Sequence, residues 1–270
     1  SGTTADDAPV PPTPLWSPNQ NTPQEPPVTT TRHTPTHTET SPDTAPRDLR
    51  RTWRWLAAAA LVLGPLGVTA IRAVMPYWTD DTPAEMVAGF AADPGAGALM
   101  NWLSLVTTPF LLLSALAMGF VARRRAPVIA SWGAAVLFGA YALGGAVSAP
   151  DVLTSALLGR GDDQASVAGT AAVLMDHPPM LAGALSFVIG HLVGMVLVAI
   201  AVVRAKVVPW WVGLIIAVAQ PVHVVSAVVV PNRLLDVVLG WGATTVGYAL
   251  VAGAVLRTAD EEWDLQPQPR

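Results

Sequence analysis

Six apolar stretches, each long enough to cross a lipid bilayer, lie between residues 47 and 258 of this 270-residue chain. A membrane-spanning helix needs about 20 consecutive, mostly apolar residues. Lipid offers no partner for backbone polar groups, so such stretches must be helical. The sequence therefore predicts an all-α, polytopic membrane protein with a six-transmembrane-helix bundle. The predicted spans are Leu56–Met75, Leu99–Val121, Pro127–Ala149, Met180–Val203, Val207–Val230 and Val237–Leu256.

Composition excludes several classes of protein. Hydrophobic residues make up 52% of the chain and charged residues only 13%, whereas soluble domains carry about 25% charged residues. This excludes an ordinary soluble enzyme. The chain has no cysteine, which excludes disulfides and thiolate metal sites. A net charge of −4 gives no basic surface for nucleic acid, so the expected partner is the lipid bilayer, with a homo-oligomer or a membrane partner left open.

Two polar segments flank the spans. Residues 1–46 contain 11 Pro and 12 Thr, and such a composition cannot bury enough apolar surface to offset the entropy lost on ordering. We therefore predict that residues 1–46 form a disordered tail, residues 47–258 the membrane domain and residues 259–270 a short polar tail.

Basic residues are distributed unequally between the two sides of the predicted bundle. The side that carries the N-terminus holds ten Lys and Arg residues, and the opposite side holds only Arg72, Arg160 and Arg233. Because membrane proteins retain basic loops in the cytoplasm, we expect a plasma-membrane protein with both termini cytoplasmic. Arg72 lies near the outer end of the first span, from where we expect its side chain to extend to the interface.

Two long acidic segments connect spans on the outer side. They cover residues 76–98 and 150–179, and each is expected to contain a short surface helix. The run from Thr82 to Glu85 predicts one helix start, with an N-cap, a proline and an acid in the first turn. If the two segments converge, their side chains suit a divalent metal such as Ca²⁺, Mg²⁺ or Zn²⁺; otherwise they are helix caps on a solvated face. The candidate ligands are Asp80, Asp81, Asp93, Asp162, Asp163, Asp176 and His177.

An internal repeat relates two parts of the membrane domain. Leu103–Val106 aligns with Leu185–Val188 at an offset of 82 residues, and the same offset relates two pairs of aspartates. We predict a parallel tandem repeat over about residues 76–149 and 158–230.

Three polar residues lie inside predicted spans. His191 lies in the fourth span, and Gln220 and His223 lie one helical turn apart in the fifth. A very short turn joins these antiparallel spans, and at 1.5 Å per residue all three lie about 12–16 Å below the outer surface. Two histidines at matched depth suit a b-type haem, a metal ion or a proton relay; the alternative is hydrogen bonding between helices.

Enzyme signatures are missing from the sequence, which has no nucleophile elbow, zinc-protease motif, P-loop or dinucleotide fingerprint. A non-catalytic membrane or assembly component, or a protein for small-solute passage, is the leading prediction. The alternatives are a haem-binding redox subunit that uses His191 and His223, and an outer face that binds a metal or ligand.

Overall fold

The computed structural model describes residues 48–264, and within this range every regular element is helical. Six helices are long and apolar enough to cross a membrane, which confirms the all-α prediction with six spans. The predicted tail over residues 1–46 and the last six residues of the chain lie outside the described range. The six observed spans are Arg50–Val74, Pro94–Ala122, Pro127–Arg160, Pro178–Arg204, Trp210–Val229 and Arg233–Arg257.

The first, second and fourth spans are single uninterrupted helices. They are α1 (Arg50–Val74), α3 (Pro94–Ala122) and α7 (Pro178–Arg204). Both α3 and α7 begin with a proline. Proline suits the first turn of a helix, because N–H groups there have no acceptor within the helix and the lack of one costs no hydrogen bond.

The third span extends beyond its predicted end. It consists of α4 (Pro127–Ala142) and α5 (Gly145–Arg160), whereas the sequence placed its end at Ala149. Helix α5 ends at Arg160, and Gly161 caps it. The positive φ of 92° at Gly161 is a left-handed conformation that glycine adopts without a steric penalty. Part of the predicted outer segment is therefore helical and packs within the bundle.

The last two spans each contain a stretch of π-helix. Helix α8 (Trp210–Val224) continues as π-helix over Val225–Val229. The sixth span starts with the single turn α9 (Arg233–Leu235), continues as π-helix over Asp236–Gly242 and ends as α10 (Ala243–Arg257). π-Helical turns are rare and frequently occur at functional sites.

Two short helices lie between spans at one end of the bundle, and they pack against each other. They are α2 (Pro83–Ala92) and α6 (Gln164–Met175), one in each predicted outer segment. Thr82 and Glu85 form the capping box that starts α2, as predicted. We call this the outer end of the bundle, after the orientation that the arginine distribution predicts. The tandem repeat stays a prediction.

Helix packing brings the first and last spans together. Helix α1 packs against α3 and α10, α4 packs against α3 and α7, and α7 packs against α8. The neighbouring positions of α7 and α8 agree with the short turn between them. Small residues allow some of these close approaches: a Cβ on Gly194 would lie 2.8 Å from that of Leu137.

Candidate functional site

A buried ion pair joins the first span to the last. The Nε atom of Arg72 in α1 lies 2.5 Å from Oδ2 of Asp236, at the start of the π-helical segment of the sixth span. Arg72 is only 8% exposed and Asp236 is fully buried. The expectation that Arg72 extends to the interface is therefore wrong. A buried charge is tolerated where an opposite charge compensates it, and Asp236 supplies that charge.

Asp236 also binds His223 at the end of α8. Its Oδ1 atom lies 2.5 Å from Nδ1 of the imidazole. An ionised carboxylate can only accept hydrogen bonds, so Nδ1 is the donor and Nε2 is the ring nitrogen left for another partner. One carboxylate thus bridges a guanidinium and an imidazole, and the three groups come from three different spans.

A glycine permits this close approach of the last two spans. A Cβ added to Gly240 would lie 2.7 Å from Oδ1 of Asp236 and 3.1 Å from Cα of His223. Only glycine leaves enough room for the backbone of the sixth span at this position. The π-helical stretches over residues 225–229 and 236–242 lie directly beside the Asp236–His223 contact.

His191 lies beside this network but is bonded differently. Its Nδ1 donates to the backbone carbonyl of Phe187 at 2.7 Å, and the residue is 1% exposed. Its ring centroid lies 6.0 Å from that of His223, and the Trp241 ring packs against both at 6.2 and 5.6 Å. The structure therefore brings the two predicted histidines together, with an indole beside them. Within residues 48–264, Nε2 of His191 has no hydrogen-bond partner.

Gln220, the third predicted residue, binds the last span. Its Nε2 atom donates to Oγ1 of Thr244 at 2.8 Å, and Oγ1 of Thr244 in turn donates to the carbonyl of Gly240. Both side chains are fully buried. Gln220 therefore connects α8 to α10 through a hydrogen bond between helices, which is a structural role.

A cavity of about 400 Å³ lies in the outer half of the bundle. Its wall comes from α1 to α7 and the residues that connect them, together with His223 of α8 and Trp241 of the sixth span. Neither His191 nor Gln220 lines it. Its surface is mostly apolar, with a few polar groups among methionines and aromatic rings. Small-molecule sites are concave, mostly apolar and roughly 300–1,000 Å³ in volume, so this cavity has the size and character of one.

Asp151 is a polar group of the cavity wall that sequence reasoning did not single out. It lies in α5, is only 7% exposed, and its Oδ1 accepts a hydrogen bond of 2.6 Å from the hydroxyl of Tyr77. Burial, and then the negative charge of Asp151, raise the pKa of Tyr77 well above its ordinary value, so the phenol keeps its proton and donates.

Buried side chains close the cavity at its inner end. Tyr141 lines the cavity and is buried, as are Met195 and Tyr248, and the hydroxyl of Tyr248 donates to Sδ of Met195 at 2.9 Å. The same core cluster continues through Val198, Val251 and other aliphatic side chains. The cavity is therefore a pocket that ends within the bundle.

The predicted outer metal ligands are not brought together. Asp93 and Asp163 cap α3 and α6 through backbone N–H groups at 2.9 and 3.0 Å, and Asp162 pairs with its neighbour Arg160. Oδ2 of Asp81 accepts from the N–H of Trp78 at 2.7 Å. Asp80, Asp176 and His177 are exposed. In the described part of the chain, no three His, Asp or Glu side chains are placed to hold a metal ion. Helix capping and local contacts occupy the carboxylates of Asp81, Asp93, Asp162 and Asp163 instead.

The sequence contained a signal for the missed ion pair. An arginine inside an apolar span requires an acidic partner, and Asp236 directly precedes the last predicted span. No such signal pointed to Asp151, because its burial depends on the extension of α5. No protein family, curated protein sequence or solved structure matches this chain.

Proposed function

We propose that this chain is a multi-pass plasma-membrane protein, with both termini in the cytoplasm, that binds a small and mainly apolar molecule in the outer cavity. The six apolar helices support the membrane location. Ten Lys and Arg residues on the side that carries the N-terminus, against three on the outer side, support the orientation. In this orientation the cavity lies in the half of the bundle nearest the cell exterior.

One observation carries the binding proposal: the outer half of the bundle contains a cavity of about 400 Å³ with buried polar groups in an apolar wall. A bundle that served only as an assembly component would gain van der Waals energy by filling this space. The buried cluster at the inner end of the cavity favours binding over passage in this conformation. We assign no catalytic role.

The orientation is tested with single cysteines, since the chain has none of its own. Gly169 in α6 and Glu261 near the C-terminus are both exposed, and a Cβ on Gly169 would meet no atom within 4 Å. In intact cells, a membrane-impermeant maleimide should label Gly169→Cys but should label Glu261→Cys only after permeabilisation. The opposite pattern would refute the orientation.

Ligand binding is tested by protection of a cysteine in the cavity wall. Ser104 lines the cavity, and the rate at which methyl methanethiosulfonate modifies Ser104→Cys reports whether the space is open. The neutral hydrocarbon neopentylbenzene should slow this modification in nanodisc-embedded protein. Adding Ala184→Trp, which fills the cavity, should abolish the protection, whereas Ala182→Trp on the exposed side of α7 should preserve it. Equal protection in both tryptophan variants would refute binding in this cavity.

A second candidate function is a redox subunit in which His191 and His223 hold a b-type haem. One observation favours it: each histidine uses Nδ1 in a hydrogen bond, which leaves Nε2 for an iron ion. Trp241 packs against both rings and would have to move to admit the macrocycle. Protein purified from haem-replete cells should then show a Soret band that is lost in His191→Ala; absence of the band would exclude this function.

A further inference from the structure

The outer cavity contains a buried carboxylate without a basic partner. Asp151 is more than nine-tenths buried and forms part of the cavity wall. Its one hydrogen bond in the described structure comes from the neutral hydroxyl of Tyr77. Within residues 48–264, no Lys, Arg or His forms an ion pair with Asp151. Burying a carboxylate without an opposite charge is costly, so a cation bound beside Asp151 would stabilise the charged form of this side chain.

The one arginine in the cavity wall is already neutralised. Arg72 binds Asp236 at 2.5 Å, and its Nη1 atom donates to Thr79 at 2.8 Å. Besides Arg72 and Asp151, the wall contains the carboxyl group of Asp81. Once Arg72 and Asp236 are counted as a pair, the cavity wall holds two carboxyl groups, Asp81 and Asp151, that form no ion pair within residues 48–264.

The remainder of the wall suits an apolar body that carries a positive charge. Five of the seven methionines of the chain line this cavity, namely Met75, Met86, Met100, Met175 and Met180. Thioether side chains are polarisable and adapt to ligands of different shape. The rings of Tyr77, Phe187 and Trp241 also line it, and aromatic faces attract ammonium groups through their negative quadrupole.

We infer that the ligand of the outer cavity is a lipophilic monocation, a substituted ammonium group on an apolar body, for which Asp151 is the counter-ion. The methionines and aromatic rings contact the apolar body, and Tyr77 holds the Asp151 carboxylate in place. This inference rests on the proposed function, because it names the class of molecule that the cavity binds.

The test compares two probes of the same shape and different charge. Benzyltrimethylammonium carries one positive charge, and neopentylbenzene is its neutral carbon analogue. Both are measured by their protection of Ser104→Cys from methyl methanethiosulfonate, in the full chain in nanodiscs. The cation should protect at a concentration at least about tenfold lower than the neutral analogue, after correction for its partitioning into lipid.

Two variants assign the preference to Asp151. Asp151→Asn keeps the size and the hydrogen bond from Tyr77 but removes the charge, so it should bring the cation to within about twofold of the neutral probe. Tyr77→Phe removes this hydrogen bond but keeps the Asp151 charge, so it should retain a preference for the cation. The comparison of the three probes in the unchanged protein keeps the test decisive if Asp151→Asn fails to fold. Benzenesulfonate, an anion of similar size, should give no protection.

The outcomes separate the two proposals. Equal protection by the cation and the neutral analogue would overturn the cation assignment and leave ligand binding intact. Stronger protection by benzenesulfonate would also overturn it, because Arg72 would then be the anchor. Failure of all three probes to protect would refute the proposed function itself.

Discussion

Removal of the Asp236 charge tests the central contact of this structure. The carboxylate is fully buried, and its two oxygens lie 2.5 Å from Nε of Arg72 and 2.5 Å from Nδ1 of His223. Two unit charges about 4 Å apart attract each other by about 4 kcal/mol at an effective dielectric constant of about 20. Breaking a buried ion pair by removing one partner typically costs about 3–5 kcal/mol, because the other charge stays buried. We expect Asp236→Asn to lower the free energy of unfolding by that amount.

A double-mutant cycle separates the ion pair from the packing around it. Arg72→Met removes the guanidinium but keeps an apolar stem, and it leaves the Asp236 carboxylate with His223 as its partner. Combining Arg72→Met with Asp236→Asn removes both charges. The double variant should therefore be more stable than the sum of the single changes predicts, by about 2 kcal/mol or more.

Reversible unfolding in mixed micelles, with increasing dodecyl sulfate, provides the measurement. Tryptophan fluorescence reports on the region of interest, because Trp78 stacks on the Arg72 guanidinium at 4.1 Å and Trp241 packs against His223. Asp162→Asn is the matched control. It removes the same charge from a surface pair with Arg160 and should leave the unfolding curve unchanged, because exposed ion pairs contribute little.

A small loss of stability in Asp236→Asn would contradict the buried ion pair. Neutral hydrogen bonds between membrane helices contribute about 0.6 kcal/mol on average. If Asp236→Asn costs no more than that, or if the double-mutant cycle shows no coupling, Arg72 and Asp236 do not form a buried ion pair in the protein.

Two further predictions concern the packing of the site and the start of α2. Gly240→Ala would place a methyl group 2.7 Å from Oδ1 of Asp236 and should destabilise the protein by about 1–3 kcal/mol in the same unfolding assay. Gly253→Ala is the control and should leave stability unchanged, because a Cβ there meets no atom within 4 Å. Equal effects of the two substitutions would contradict the packing described. Hydrogen bonds from Thr82 lower the pKa of Glu85, so this cap stabilises α2 above the ordinary pKa of glutamate and is lost as the pH falls through the lowered value. Thr82→Ala should raise the Glu85 pKa in a carbon-13 titration, and an unchanged titration would contradict the capping box.

The position of the six spans could be predicted from the sequence because hydrophobic length is a local property. A run of about 20 apolar residues must be helical in lipid, whatever surrounds it. The start of α2 was predictable for the same reason, because its capping box is local. The side chains of Thr82 and Glu85 each accept a hydrogen bond from the backbone N–H of the other. The short turn between the fourth and fifth spans likewise indicated that His191 and His223 lie close together.

The partners of the buried charges depended on the tertiary structure. Arg72 and Asp236 are 164 positions apart, and the predicted spans did not indicate that the first and sixth are neighbours. Only the packing of α1 against the sixth span brings them together. Without a known partner, Arg72 was expected to extend to the interface, because this costs less free energy than burying an unpaired charge.

The cavity also follows from packing between helices. Asp151 lies within the outer segment predicted over residues 150–179, but the third span continues to Arg160 and buries the Asp151 carboxylate against Tyr77. Which segments are helical and apolar could be predicted from the order of residues, because each segment meets lipid along its own length. Which polar groups meet, and where space remains between helices, depends on contacts among residues far apart in the chain, so only the packed bundle shows them.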